Sequence, residues 1–145
     1  ESVVYIIPPA SVPDGWNADR AAVIKQAVGS RIPVAVVTNG FSYVQHRRLQ
    51  LSGLLPYLDA VVVSQDLGLQ KPDPALVDLA LDRLGCRDRT KALLVGDSLS
   101  SDMAAAANAG VCGVWYNPRR KPRPQGQPFY EITRLSTLLH LVNHP

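Results

Sequence analysis

Two cysteines in 145 residues, Cys86 and Cys112, are too few and too far apart for a disulfide scaffold or a zinc cluster. The three histidines, His46, His140 and His144, lack metal-ligand spacing. No apolar run approaches the roughly 20 residues needed to span a bilayer, so no membrane partner is expected. The opening Glu1-Ser2-Val3-Val4 has neither a basic segment nor a cleavage pattern. A reducing cytoplasm is the expected compartment. Internal repeats are absent, and no serine stands in a nucleophile-elbow context. Low-complexity sequence is confined to 117–128, a Pro/Arg-rich loop.

What remains is globular in composition: 46% hydrophobic, 19% charged, net charge +3. The length suits a single domain over 1–145, with one core. Much of the positive excess is local, in Arg119, Arg120, Lys121 and Arg123. That cluster is either a solvated loop or a basic rim attracting an anionic substrate. It lacks the interleaved aromatics and the module expected for a nucleic-acid partner.

Strand and helix patterns alternate along the chain. Val3–Ile7, Val34–Val37, Ala60–Val63, Ala92–Val95 and Val111–Tyr116 read as strands, and Phe129–Ile132 as a short last one. Three of them are short continuous apolar runs, the mark of burial on both faces. Helices are expected from Asn17 to about Val28, from Tyr43 to about Leu51, from Asp73-Pro74 to Gly85, over Asp102–Ala109, and over Leu135–Val142. Asp73 at the N-cap with Pro74 at the first helical position is a strong start signal. Buried strands separated by single helices imply a parallel sheet with helices on both faces. In such sheets the site lies beyond the carboxyl ends of the strands. Three strands there end in polar clusters: Thr38-Asn39, Ser64-Gln65-Asp66 and Gly96-Asp97-Ser98.

The sharpest cluster is Gly96-Asp97-Ser98-Leu99-Ser100-Ser101-Asp102. Glycine lets the chain turn tightly off a strand. Asp97 and Asp102 then offer two carboxylates at one rim, a donor set for Mg²⁺, which takes oxygen ligands and keeps several waters. The same residues also suit a turn and a helix cap. Thr38-Asn39-Gly40 offers a hydroxyl beside backbone N–H groups, a phosphate cradle or an ordinary turn. Lys71-Pro72-Asp73-Pro74 stiffens one lysine ahead of a helix. That lysine either neutralises a phosphoryl group or is simply solvated.

In combination and in this order, Thr-Asn-Gly after a strand, Lys-Pro-Asp-Pro before a helix, and Gly-Asp-x-x-x-x-Asp after a strand resemble the haloacid dehalogenase superfamily. The resemblance runs from about Pro13 to Val142. Thr38 matches its second motif, Lys71 its third, and Asp97 with Asp102 its fourth. Thr38-Asn39-Gly40-Phe41, Arg48-Leu49, Ser52-Gly53-Leu54 and Ser64-Gln65-Asp66-Leu67-Gly68 are most similar to the branch of pyrimidine nucleotidases. The resemblance implies an α/β fold, a Rossmann-like three-layer α/β/α sandwich with a parallel sheet. It implies Mg²⁺-dependent phosphate-ester hydrolysis of a small phosphorylated metabolite or nucleotide through an aspartyl-phosphate. Asp97 would coordinate Mg²⁺, and Asp102 would support it directly or through water. Thr38 and the Asn39 N–H would bind the phosphoryl group, and Lys71 would offset charge on nucleophile and phosphate.

One part of the family pattern has no counterpart. The first motif, Asp-x-Asp-x-Thr at the end of the first strand, supplies nucleophile and general acid–base. Here Val3–Ile7 runs into Pro8-Pro9-Ala10-Ser11, and Asp14 and Asp19 lie too far downstream. Pro8–Trp16 is too short for the helical cap of this branch, so the core is expected without a cap domain. The chain is then the C-terminal part of a longer enzyme, a degenerate member, or half of a split enzyme whose partner chain brings the aspartates. A non-catalytic phosphate-binding or scaffold domain is the alternative from another class. Halide removal from a small acid would share the fold. Val3–Ile7 is expected to fill the first-strand slot, between Val34–Val37 and Ala92–Val95, because an empty slot would leave buried backbone groups unpaired.

Overall fold

The computed structural model describes residues 4–6, 33–38, 58–126, 128–134 and 137. The helices expected over 17–28 and 43–51, and all but residue 137 of the one expected over 135–142, lie outside them. Six strands form one sheet: β1 Val4–Ile6, β2 Val34–Thr38, β3 Ala60–Val63, β4 Ala92–Gly96, β5 Cys112–Tyr116 and β6 Tyr130–Ile132. Their spatial order is β3-β2-β1-β4-β5-β6, and every pairing is parallel. This is a doubly wound arrangement, with its switch point between β1 and β4. β1 fills the central slot as expected, with Ile6 level with Ala35 on one side and Leu94 on the other.

The apolar runs have the burial that their composition demands. All five residues of β2 are buried. Ala35, Val37, Ala60, Val62, Ala92 and Leu94 line one face, where they pack with two helices, α2 Ala75–Arg83 and α3 Ala104–Ala109. Val34, Val36, Val63 and Val95 point the other way and are equally buried, so both faces are covered. A single helical turn, α1 Ser64–Leu67, continues directly from β3 where the sequence reads only a polar break.

Helix α2 begins one residue later than Asp73-Pro74 predicts. Pro74 is its N-cap residue, and the Asp73 carboxylate still accepts the Ala75 N–H at 2.9 Å. Leu76, Ala80 and the partly buried Leu84 share the core-facing stripe with Val77 and Leu81. Gly85 follows in the left-handed region that ends helices.

The segment expected as one helix over Asp102–Ala109 departs more. Leu99–Met103 forms a wide π-type turn, and only then does α3 begin. Ser98 is the cap: its hydroxyl accepts the Ser101 N–H at 3.1 Å, and its carbonyl accepts both Asp102 N–H and Met103 N–H at 3.0 Å. Asp102 therefore lies inside the turn and is not the helix cap. Met103 faces Trp115 and Phe129. The approach is possible because β5 has Gly113 there; a Cβ would lie 2.9 Å from the Met103 Sδ.

No helix among the described residues is long and apolar enough to cross a membrane. Leu76 is fully buried between α2 and the sheet. Leu76→Ala is expected to cost about 2–5 kcal/mol in urea unfolding, by lost transfer energy and cavity formation, whereas Gln70→Ala on the exposed approach to α2 costs less than about 0.5 kcal/mol.

Candidate functional site

The carboxyl ends of β2 and β4 bring three of the sequence-predicted residues to one rim. Thr38 is the last residue of β2 and is buried. Asp97 follows Gly96 at the tip of β4. Its side chain is exposed, while its carbonyl accepts the Trp115 indole N–H at 3.1 Å. Lys71 enters from the loop before α2, which Asn108 of α3 anchors through the Pro72 carbonyl at 3.0 Å. Asn39 lies outside the described residues.

Lys71 and Asp102 form a buried ion pair, Nζ to Oδ1, with side chains 4% and 3% exposed. The Lys71 ammonium also donates to the Val37 carbonyl at 3.3 Å. The other oxygen of Asp102, Oδ2, accepts the Ser98 N–H at 3.1 Å. Val37 belongs to β2, and Asp102 to the turn after β4. β1 lies between these two strands, so the ammonium bridges the space beyond the carboxyl end of β1. The bridge depends on Gly96. A Cβ there would stand 2.3 Å from Asp102 Oδ2 and 2.4 Å from its Cγ. Sequence reasoning takes Gly96 only as a turn residue; its second task is to leave room for the carboxylate.

The two aspartates are thereby made unlike. Asp102 has both oxygens engaged, one by a cation and one by an amide. Asp97 keeps its carboxylate at the open rim. Desolvation chiefly, and then the negative charge of Asp102, push Asp97 above the usual carboxylate range; its own backbone N–H, Lys71 and Lys121 pull the other way. Among the described residues no cluster of three or more His, Cys, Asp or Glu could hold a metal ion by itself. The residues fit Mg²⁺ in a sparser form. Mg²⁺ is commonly bound through one or two carboxylates and several waters, and Asp97 offers an accessible carboxylate whose charge is incompletely offset. Asp102 fits as the group that fixes Lys71 and the Ser98 turn around it.

A parallel doubly wound sheet with a lysine, a threonine and two aspartates near its switch point defines a Rossmann-like α/β domain. The family model for haloacid dehalogenase-like hydrolases matches residues 18–110. The chain belongs to that family. It is 34% identical to the pyrimidine 5'-nucleotidase YjjG of Escherichia coli over 123 residues, covering 84% of this chain and 55% of that protein. It is 38% identical over 107 residues to the pyrimidine 5'-nucleotidase PynA of Streptococcus pneumoniae, covering 73% and 45%. The crystal structure of the HAD-hydrolase YfnB of Bacillus subtilis bound to magnesium superposes with a TM-score of 0.77 at 34% identity, covering 84% of this chain and 54% of that one. The chain thus spans about half the length of the relatives it matches.

Two outcomes follow from the geometry. Lys71→Met strands a buried carboxylate and is expected to cost about 3–5 kcal/mol in urea unfolding, while the double change Lys71→Met with Asp102→Leu recovers a large part of that loss. In the metal-free protein the Asp97 carboxyl titrates by NMR above that of Asp88, which hydrogen bonds from Thr90 hold below the usual value. A raised folded value means that the folded state holds the Asp97 proton more tightly than the unfolded chain. Its contribution to stability is present at low pH and lost as pH rises through that value. Asp97→Asn therefore raises Tm at pH 7, by roughly 1 °C given solvent screening at the rim.

Proposed function

We propose that this chain is the core of a Mg²⁺-dependent phosphate-ester hydrolase whose substrate is a small phosphorylated metabolite or nucleotide. The observation that carries the reading is the buried Lys71 ammonium, held by Asp102 and the Val37 carbonyl over the end of β1. A fixed cation in a dry position stabilises charge developing on a phosphoryl group without reorganising. Similarity to two pyrimidine 5'-nucleotidases supports the substrate class.

In this reading the Thr38 hydroxyl and the Asn39 N–H hold the phosphoryl oxygens. Lys71 offsets charge on phosphate and nucleophile. Asp97 would hold Mg²⁺, with Asp102 setting the turn that presents it, and the ion would supply charge neutralisation for phosphoryl transfer. The covalent step needs a carboxylate in line with phosphorus: its oxygen bonds to phosphorus as the ester oxygen leaves with a proton, and water then releases phosphate. After β1 the sequence is Ile7-Pro8-Pro9-Ala10-Ser11, with no carboxylate. The nucleophile and its acid–base partner are accordingly assigned to an Asp-x-Asp segment outside these 145 residues, on a longer polypeptide or a partner chain. That same apolar stretch favours a second reading, a phosphate-binding domain that does not catalyse.

The test is hydrolysis of p-nitrophenyl phosphate and nucleoside monophosphates with Mg²⁺. The 145-residue chain alone is expected to stay at background. Addition of an Asp-x-Asp-bearing segment, covalently or in trans, restores turnover, and Lys71→Ala then lowers kcat by about 10²-fold or more. Calorimetry is expected to give weak Mg²⁺ binding to the chain, lost in Asp97→Asn with the fold intact. Robust activity from the chain alone, abolished by Asp97→Ala, would overturn the assignment of the nucleophile. Phosphate binding without turnover after restoration favours the second reading.

A further inference from the structure

The basic cluster over 119–123 divides into unlike members. Arg123 is spent on structure: its guanidinium donates to the Phe129 carbonyl and lies 4.5 Å from the centre of the Phe129 ring. Arg119, Arg120 and Lys121 are exposed. The backbone of Lys121 is held by one buried side chain, Asn117, which is 2% exposed at the carboxyl end of β5. The Asn117 amide donates to the Lys121 carbonyl at 2.8 Å and to Glu131 Oε2 at 3.1 Å, and its Oδ1 accepts the Lys121 N–H at 3.0 Å. Its backbone carbonyl accepts the Arg120 N–H at 3.2 Å, and its N–H donates to the Ile132 carbonyl at 2.7 Å. Arg120 takes φ +53°, the left-handed region where a non-glycine residue is strained. Both main-chain groups of Lys121 thus bond one buried amide, immediately after a strained turn. A merely solvated loop has no need of such fixation.

The place where the loop is fixed is the catalytic rim. β5 is the parallel neighbour of β4, with Trp115 level with Gly96. The Trp115 indole is bonded to the Asp97 carbonyl. Two residues beyond Trp115, Asn117 therefore stands at the level of the Asp97 turn, and there it fixes the backbone of the exposed cation Lys121. Such a cation opposes a bound metal ion and favours a bound oxyanion.

We propose that Lys121 is a specificity-determining residue that contacts the phosphate-bearing substrate at the rim, and that Asn117 is the positioning residue that holds it there. This rests on the phosphate-ester reading above and adds a residue from outside its four matched positions. The ligand chemistry is a phosphate oxyanion. Lys121 supplies one charge-assisted hydrogen bond and draws the anion toward the rim.

Two measurements test it. With the complete enzyme, Lys121→Gln is expected to lower kcat/KM for a nucleoside monophosphate roughly three- to tenfold, with the larger share in KM and a shallower dependence on ionic strength. Lys121→Arg restores most of the loss. Asn117→Ala reproduces both effects although it removes no charge, a result that general loosening of the fold does not give; Asn117→Ser serves where the alanine variant unfolds. Arg87→Gln, at the opposite end of the sheet, leaves KM unchanged. Independently, inorganic phosphate binding to the 145-residue chain in the presence of Mg²⁺ weakens by the same factor in Lys121→Gln. An enzyme that hydrolyses no phosphate ester while its chain binds phosphate through Lys121 would remove the hydrolase reading and keep the loop assignment. Equal phosphate affinity in wild type and Lys121→Gln, or no phosphate binding by either, overturns the loop assignment.

Discussion

The rim depends on one buried charge pair. Removing Lys71 and Asp102 from water is costly, and their mutual attraction offsets that cost only if the remaining donors and acceptors are satisfied. They are: the ammonium has the Val37 carbonyl, and the carboxylate has the Ser98 amide. Hydrophobic residues of similar volume would fill the space at less cost. The pair also links parts that local interactions would leave independent. It joins the end of β2 to the turn after β4 across the strand between them, and through Pro72 and Asn108 it is tied to the approach to α2.

This constraint accounts for the difference between two aspartates that are equivalent on paper. A carboxylate with an ion-pair partner and an amide has little capacity left for a ligand. One at the open tip of β4, repelled by its neighbour, holds charge that invites a cation. The wide turn over Leu99–Met103 produces the difference, because it places Asp102 beneath Gly96 while sending Met103 into the apolar contact with Trp115 and Phe129. π-type turns are often found at functional sites. Here the turn lets two consecutive residues serve opposite purposes, one polar and one apolar.

Much of this was legible in the sequence, for physical reasons. Runs such as Val34–Val37 and Ala92–Val95 have no polar face, so they had to be buried on both sides, and parallel pairing follows. The need to satisfy backbone groups in the central slot assigned β1 correctly, although its composition alone is weak. The candidates Thr38 and Asp97 stood out because strand ends in such sheets converge on one rim, and Lys71 and Asp102 through their places ahead of helices and the motif order. Other features were hidden. Whether Asp102 is a helix cap or a site carboxylate was open from spacing; the π-type turn depends on the Ser98 hydroxyl and on the space above Gly96, which only tertiary packing defines. The bonding of Asn117 was equally opaque, since its partner Glu131 reaches it only through the pairing of β6 with β5.

The distribution of charge around the rim places a limit on what these residues can do by themselves. Lys71 is matched by Asp102, so the buried layer is close to neutral. Asp97 stands at the open tip of β4, and the sequence after β1 adds no carboxylate before Asp14. Covalent chemistry requires a nucleophile in line with phosphorus, beside an ammonium already fixed to meet it. Preorganised electrostatics lowers the barrier of a reaction but cannot provide the atom that attacks. The Lys71–Asp102 bridge fixes opposite charges beyond the end of β1, and under the phosphohydrolase reading proposed above an aspartate brought to that point would complete the arrangement.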